Sequence, residues 1–520
     1  MIERKKDQKQ KVSEVKTFTV PFTLGEVKEN ISININTPSK ISKEQIIKQA
    51  IDFHLKGNIN EAAEYYQNLI DQGLKDHRVF SNYGVILKNL GKLKEAELSY
   101  RKAIEIKPDF AEGHSNLGNV LNDLGKLKDA ELSYRKAIEI NPDFAEAYSN
   151  MGITLRDCGK SKEAELSMLK AISLNPNLAK AYFNLSTLNP SSDNEKWKDK
   201  LFSDTFITNQ KKNDLVDIYF ARANLLEKEN NFSQVSNNLK KANNLSRRIH
   251  GSNFSYIKKE IDTFFQDWEE RENDIKQIRN LPIPIFIVGM PRSGKTITES
   301  ILACNNKLIK YGENLALEKA IKSYLTHQEN SLNKSLYKLY FDQIETNYHS
   351  KSYISTTTPL NLIYTGLTIS QIPTAKFIFC ERNPLDNIIE IYKKNLGNRH
   401  TYSCSIVESA NLWIEFYSLM EKYKRRYDSQ IYFLNYDKLV TNTEEETKYL
   451  LGWLGWSYSN KYLKPHLDLT TSKLNSKIIN KHELSNWKNY KDILNPAIHI
   501  FNNSKKFKSL LKQYEKVFNQ

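Results

Sequence analysis

Cysteine is scarce. Four stand in 520 residues (Cys158, Cys304, Cys380 and Cys404), and none forms a C-x-x-C pair. Ten histidines are scattered, without H-E-x-x-H or zinc-type spacing. A disulfide framework and a structural metal are therefore not expected, no residue is assigned as a metal ligand, and a reducing cytosol fits best. No run of 18 apolar residues occurs, so no membrane span is expected. The N-terminal stretch MIERKKDQKQKVSEVK has no apolar segment behind its charges and does not read as a secretory signal. No nucleic-acid recognition module is visible, so a nucleic-acid partner would rest on net charge alone and is not expected. That charge is +15, with 76 Lys+Arg against 61 Asp+Glu. It marks either a lysine-rich solvated surface or an anionic ligand.

What is present begins with a repeat. Gly84, Gly118 and Gly152 lie 34 residues apart, as do Gly91, Gly125 and Gly159; Ala96, Ala130 and Ala164; and Pro108, Pro142 and Pro176. An earlier copy has Gly57, Ala62 and Tyr66 at the same offsets. The period resembles the tetratricopeptide repeat. In Ala111–Phe144, Leu117, Gly118 and Leu121 form one helical stripe, and Ala130, Tyr134 and Ala137 form another. No single repeat can bury its stripe, so neighbours stack into a solenoid that binds proteins or peptides or braces the second half. Four clear repeats span 43–178, and a degenerate helical pair at 213–247 closes a solenoid of 43–250. Arg101-Lys102 and Arg135-Lys136 recur, which fits a solvated face better than an acidic partner's site. Residues 1–40 read as a disordered basic terminus, NPSSDNE after Leu188 as a linker, and 254–280 as a connecting helix.

From residue 281 to 520 the texture is α/β. The apolar run Pro284–Val288 reads as a buried strand. Gly289–Thr296 then satisfies G-x-x-x-x-G-K-[ST], and Thr296–Cys304 reads as a helix. In that setting backbone N–H groups converge on an anion, Gly294 admits close approach, and Pro291, Arg292, Ser293, Lys295 and Thr296 complete the loop. A kinase or NTPase reading needs a metal-holding aspartate at another strand end. The candidate strands supply Arg382, or Asp437 slightly late, and no N-K-x-D-like guanine reader exists. Arg382 ends the strand Phe377–Cys380 beside the helix start Asn383-Pro384-Leu385-Asp386, where a guanidinium grips a phosphate or forms a structural ion pair.

These pieces occur in order: PIFIVGMPRSGKT, YGEN (Tyr311–Asn314), TPLN (Thr358–Asn361), KFIFCERNPLDN (Lys376–Asn387) and SNWKNY (Ser485–Tyr490). Together they resemble the sulfotransferases that carry N-terminal tetratricopeptide repeats, whose catalytic domain is similar to protein-tyrosine sulfotransferases. The resemblance implies a P-loop-like three-layer α/β domain that uses 3′-phosphoadenosine-5′-phosphosulfate (PAPS) without a metal. It implies that Pro291–Thr296 holds the 5′-phosphosulfate, Arg382 the 3′-phosphate, and Glu313 acts as general base. Lys295 stands where relatives carry threonine.

Four departures accompany the resemblance. Thr357 replaces a lysine that would stabilise the transition state, a role Lys295 is positioned in sequence to take over. Glu390 replaces a serine that would touch the 3′-phosphate; it repels that group unless it turns away or pairs with Lys393 or Lys394. Asn475-Ser476 stand where Val-Arg is common, and Ser485-Asn486 where two glycines are usual. Three functions follow: a PAPS-dependent sulfotransferase acting on a hydroxyl of a peptide tyrosine, saccharide or small alcohol; a catalytically weakened scaffold or nucleotide sensor; and an NTP-dependent enzyme. Tyr402, Trp413 and Tyr417 line an acceptor cleft or pack in a core, the latter being favoured.

Overall fold

The computed structural model describes residues 42–188, 196–208, 210–265, 282–329, 335–344, 352–463 and 484–517. They divide into two compact units, one ending at Ala221 and one beginning at Arg222. The basic terminus 1–40, NPSSDNE, most of the expected connecting helix beyond Phe265, and Asn475-Ser476 lie outside the described residues.

The first unit is a helical solenoid. Its hairpins are α1 (Lys43–Leu55) with α2 (Ile59–Asp71), α3 (His77–Asn89) with α4 (Leu93–Ile106), α5 (Ala111–Asp123) with α6 (Leu127–Ile140), and α7 (Ala145–Asp157) with α8 (Ser161–Leu174). Helices α4, α6 and α8 stop two residues before Pro108, Pro142 and Pro176, whose rings cannot continue the helical hydrogen bonding. The short turns use Gly91, Gly125 and Gly159 at φ 74–79°, the left-handed cap position. Ala96, Ala130 and Ala164 are wholly buried, so the 34-residue pattern marks the helix contacts.

The glycine of each first helix has a packing role. A Cβ on Gly118 would stand 2.7 Å from the Tyr134 ring, and that ring is held by a 2.7 Å hydrogen bond from its hydroxyl to Asn119 Oδ1. Gly84 meets Tyr100 and Gly152 meets Met168 in the same way. Gly118→Val is therefore expected to destabilise the solenoid by about 1–3 kcal/mol, despite its better helix propensity, read as a lower urea midpoint. The recurring cations are engaged locally: Glu97 pairs with Arg101 (2.9 Å) and Lys126 (2.7 Å), and Glu131 with Arg135 (2.8 Å) and Lys160 (2.9 Å).

The sequence places a degenerate repeat at 213–247. Helices do form there, Lys212–Lys228 and Phe232–His250, but the second belongs to the other unit. Its Asn243 donates to the Tyr392 carbonyl (2.9 Å) and its Arg247 pairs with Glu408 (2.6 Å). Buried Asn243 and exposed Arg247 thus meet α/β partners rather than another repeat.

The second unit is built on five parallel strands: β1 (Ile283–Val288), β2 (Leu308–Lys310), β3 (Tyr353–Thr356), β4 (Lys376–Glu381) and β5 (Ile431–Asn435), ordered β2-β3-β1-β4-β5. Successive side chains take opposite faces. Ile285, Ile287, Ile378, Cys380 and Leu434 join an aliphatic layer with Ile297, Ile301, Leu439 and Leu450. Phe286, Phe377, Phe379 and Phe433 join an aromatic layer with Tyr340 and Tyr417. Both faces are covered, which makes the unit a three-layer α/β fold. Trp413, which is buried, stacks on partly buried Tyr417 (5.1 Å) against Phe501 and Phe507, so these two aromatics pack with the aromatic layer.

Candidate functional site

The chain leaves β1 toward β2 on one side and leaves β4 toward β5 on the other. The crevice between the carboxyl ends of β1 and β4 is therefore the switch point where open α/β sheets bind ligands. Gly289–Gly294 follows β1 there, and Arg382-Asn383 follows β4.

The loop is shaped for an anion. Gly289 (φ 130°) and Gly294 (φ 99°) have positive φ, and so does Arg292 (φ 64°), which strains a non-glycine residue. A Cβ on Gly289 would lie 2.5 Å from the Cys380 carbonyl, and one on Gly294 would lie 2.3 Å from the Tyr436 ring. Gly294 caps the helix Lys295–Leu302, whose first N–H groups face the loop. Ser293 is 1 % exposed, and its hydroxyl has no protein partner among the described residues. A buried polar atom left open in a cradle of this kind fits a bound oxyanion. Pro291 is buried and Thr296 is exposed at the helix start.

Lys295 turns back into the loop, donating to the Met290 carbonyl at 2.7 Å. Burial lowers its pKa to about 8, although Glu313 nearby favours the charged form. Arg382 is 1 % exposed and lies over the Tyr436 ring (4.9 Å). It donates to the Arg292 carbonyl (3.0 Å), while Asn387 donates to the Pro291 carbonyl (2.8 Å). The two strand-end elements are thus tied to each other, and Pro291, Arg292, Ser293, Gly294, Lys295 and Arg382 come together.

Glu313 lies in a turn zipped onto β3. Tyr311 N–H donates to the Ser355 carbonyl, Thr357 N–H to the Gly312 carbonyl, and Asn314 N–H to Thr358 Oγ1, each at 2.9 Å. From the other side buried Glu299, on the phosphate-loop helix, accepts from Gly312 N–H (3.2 Å) and Ser355 Oγ (2.9 Å). The side chain of Glu313 is half-exposed. Burial of part of it favours the neutral acid, but His400 (Nε2 to Oε1, 4.0 Å), Lys295 and Arg399 outweigh this and hold its pKa below the usual value. The carboxylate is available as a base. Thr357, buried beside Gly312, supplies no charge at this edge.

Sequence reasoning missed His400 and the residue that holds it. Asn253, in the turn before helix Phe254–Phe264, accepts from Thr401 Oγ1 and Tyr402 N–H (both 3.0 Å), donates through Nδ2 to the Arg399 carbonyl (2.7 Å), and its N–H donates to Thr401 Oγ1 (2.8 Å). No local pattern marks this, because the partners lie about 150 residues apart.

Asp437, the sequence's remaining metal-holding candidate, accepts from Asn383 N–H at 2.6 Å. Its buried carboxylate caps the β4 turn, and burial raises its pKa to about 6. Asp386 likewise accepts from Ser485 and Trp487 N–H (2.9 and 2.8 Å), with Ser485 itself at φ 61°. A loop lacking the usual glycines is thus tied to the helix that follows Arg382. The residues fit a 5′-phosphosulfate at Gly289–Thr296. They fit a 3′-phosphate less well, because buried Glu390 stands among the cations there.

Residues 284–460 match a model described as Sulfotransferase family. Residues 84–125 and 118–155 match a TPR repeat model, and 145–178 a tetratricopeptide repeat model. An uncharacterised protein of Aquifex aeolicus (strain VF5) is 26% identical over 243 residues, 42% of this chain and 32% of that protein. The chain therefore spans about a third of that relative's length. Similar solved structures include MamA from Desulfovibrio magneticus RS-1 (20% identity, 29% of this chain, 85% of that chain, TM-score 0.27). PilF of Pseudomonas aeruginosa is another (14% identity, 42% of this chain, 96% of that chain, TM-score 0.31). Behind its tetratricopeptide repeats, this chain carries a sulfotransferase-family domain at residues 284–460.

Proposed function

We propose that the α/β unit moves a sulfuryl group from a nucleoside 5′-phosphosulfate to a hydroxyl acceptor. PAPS is the donor the family resemblance implies, and the 5′-phosphosulfate is the part the loop fits. The observation that carries the reading is the juxtaposition of the open Ser293 hydroxyl, the Lys295 ammonium and the Glu313 carboxylate at one strand edge.

The donor supplies an electrophilic sulfur with a phosphate leaving group. The loop N–H groups and Ser293 hold the oxyanion, and Lys295 offsets the charge that develops between sulfur and the leaving oxygen. Glu313 takes the acceptor's proton as the new oxygen–sulfur bond forms and the sulfur–phosphate oxygen bond breaks. His400 lies 4.0 Å from Glu313 and, with Lys295 and Arg399, favours its ionised form. Lys295 takes the place of the charge absent at Thr357.

The solenoid binds a protein partner and presents the acceptor. Leu98, Leu132 and Leu166, one per repeat, are 69%, 66% and 67% exposed, which supports an apolar docking stripe. Among the described residues no helix is long and apolar enough to cross a membrane. Cysteine is scarce, four in 520 residues with no C-x-x-C pair, which supports a reducing compartment such as the cytosol.

Transfer from a radiolabelled phosphosulfate donor, in EDTA, to tyrosine peptides, saccharides and simple alcohols tests the reading. Labelled acceptor, lost with Glu313→Gln, is expected. Donor binding without transfer to any acceptor class would favour the scaffold reading, which the missing charge at Thr357 supports.

A further inference from the structure

Glu390 sits on the helix Pro384–Tyr392, eight residues after Arg382, and is 4% exposed. Its Oε1 lies 2.8 Å from Lys393 Nζ, and its Oε2 lies 3.8 Å from Arg292 Nη2 in the phosphate loop. Lys393 is shared with Glu227 at 2.5 Å, and Tyr490 hydroxyl donates to the same Glu227 at 2.7 Å. Lys394 also feels Glu390. Burial favours the neutral acid, but Lys393, Arg382 and Arg292 override it and bring the pKa to about 2. A fixed negative charge therefore sits among Lys393, Arg292 and Arg382, the last of which the family resemblance assigns to a second phosphate.

A phosphate carries one and a half to two negative charges, and in a buried site a neighbouring carboxylate repels it strongly. A hydroxyl behaves oppositely, because it donates to a carboxylate. Dinucleotide sites use the same logic, with an acidic residue for a free ribose hydroxyl and an arginine for a phosphorylated one. Among the described residues, Oε2 makes a long contact to Arg292 and retains lone pairs for a donor.

We infer that Glu390 sets the nucleotide's 3′ position: it accepts a hydrogen bond from a free ribose 3′-hydroxyl and excludes a 3′-phosphate. The donor is then a nucleoside 5′-phosphosulfate without the 3′-phosphate of PAPS. The inference rests on the reading that Gly289–Thr296 holds the 5′ end.

Titration calorimetry of the full-length chain, without metal, with adenosine 5′-monophosphate and adenosine 3′,5′-bisphosphate tests it. The wild type is expected to bind the monophosphate at least about tenfold more tightly. Glu390→Gln and Glu390→Ser are expected to reverse that order. Equal or tighter binding of the bisphosphate by the wild type overturns the inference and leaves the proposed function standing. An unchanged preference in folded Glu390→Gln removes Glu390 as its cause and overturns it too. Binding of neither nucleotide sinks both readings. Because the wild-type ratio and the glutamine variant can each overturn the idea, misfolding of the serine variant does not rescue it.

Discussion

Gly289→Ala is expected to abolish nucleotide binding and to destabilise the α/β unit by about 2–4 kcal/mol. The backbone at Gly289 has φ 130°, which L side chains rarely adopt. The added methyl would stand 2.5 Å from the Cys380 carbonyl, and that backbone belongs to β4, fixed between β1 and β5. Neither strand can retreat without losing its ladder, so the loop must shift and the cradle opens. Denaturant unfolding with and without nucleotide checks both parts. A variant with wild-type midpoint and wild-type ligand stabilisation would show that the loop is not held as described.

Lys295→Met is expected to cut sulfuryl transfer about a hundred- to thousandfold, the usual effect of removing one charge-stabilising donor. It should leave the fold intact, because methionine fills the same buried volume. Its second signature is in pH. Burial brings the Lys295 pKa from 10.5 down to about 8, so between those values the unfolded chain holds a proton that the folded chain lacks. Stability from this residue therefore rises with pH through that window, by about 2–3 kcal/mol, and its burial penalty is complete below about pH 8. Lys295→Met should flatten the rise, read as urea midpoints at pH 7 and pH 10. Anion affinity should move oppositely, weakening above about pH 8 as the ammonium is lost. A variant with unchanged turnover would remove Lys295 from the chemistry.

The readable parts of the sequence are those in which structure is local. The repeat was legible because Gly118 meets Tyr134 and Ala130 is buried within one unit, so the same residue types return every 34 positions. The phosphate loop was legible because strand, loop and helix start are contiguous. The pairing of Glu390 with Lys393 was legible from three-residue helical spacing, and its contact with Arg292 was not. Arg382 could be placed at a strand end, but its bond to the Arg292 carbonyl depends on β1 and β4 being neighbours. Glu313 was reached through resemblance alone; Glu299, which fixes its turn, looks in sequence like one more helical carboxylate. His400 and Asn253 left no trace, since one asparagine far upstream holds the histidine's turn. The placement of Phe232–His250 failed to show for a related reason: an apolar stripe tells a helix to pack without saying against what.

The most direct test is calorimetric titration of the full-length chain with adenosine 5′-phosphosulfate in EDTA, beside ATP with magnesium. Saturable one-to-one binding of the phosphosulfate without metal, absent in Gly289→Ala, is the predicted result. No heat from the phosphosulfate, with binding only of magnesium ATP, would contradict the account and return Gly289–Thr296 to the nucleoside triphosphatases.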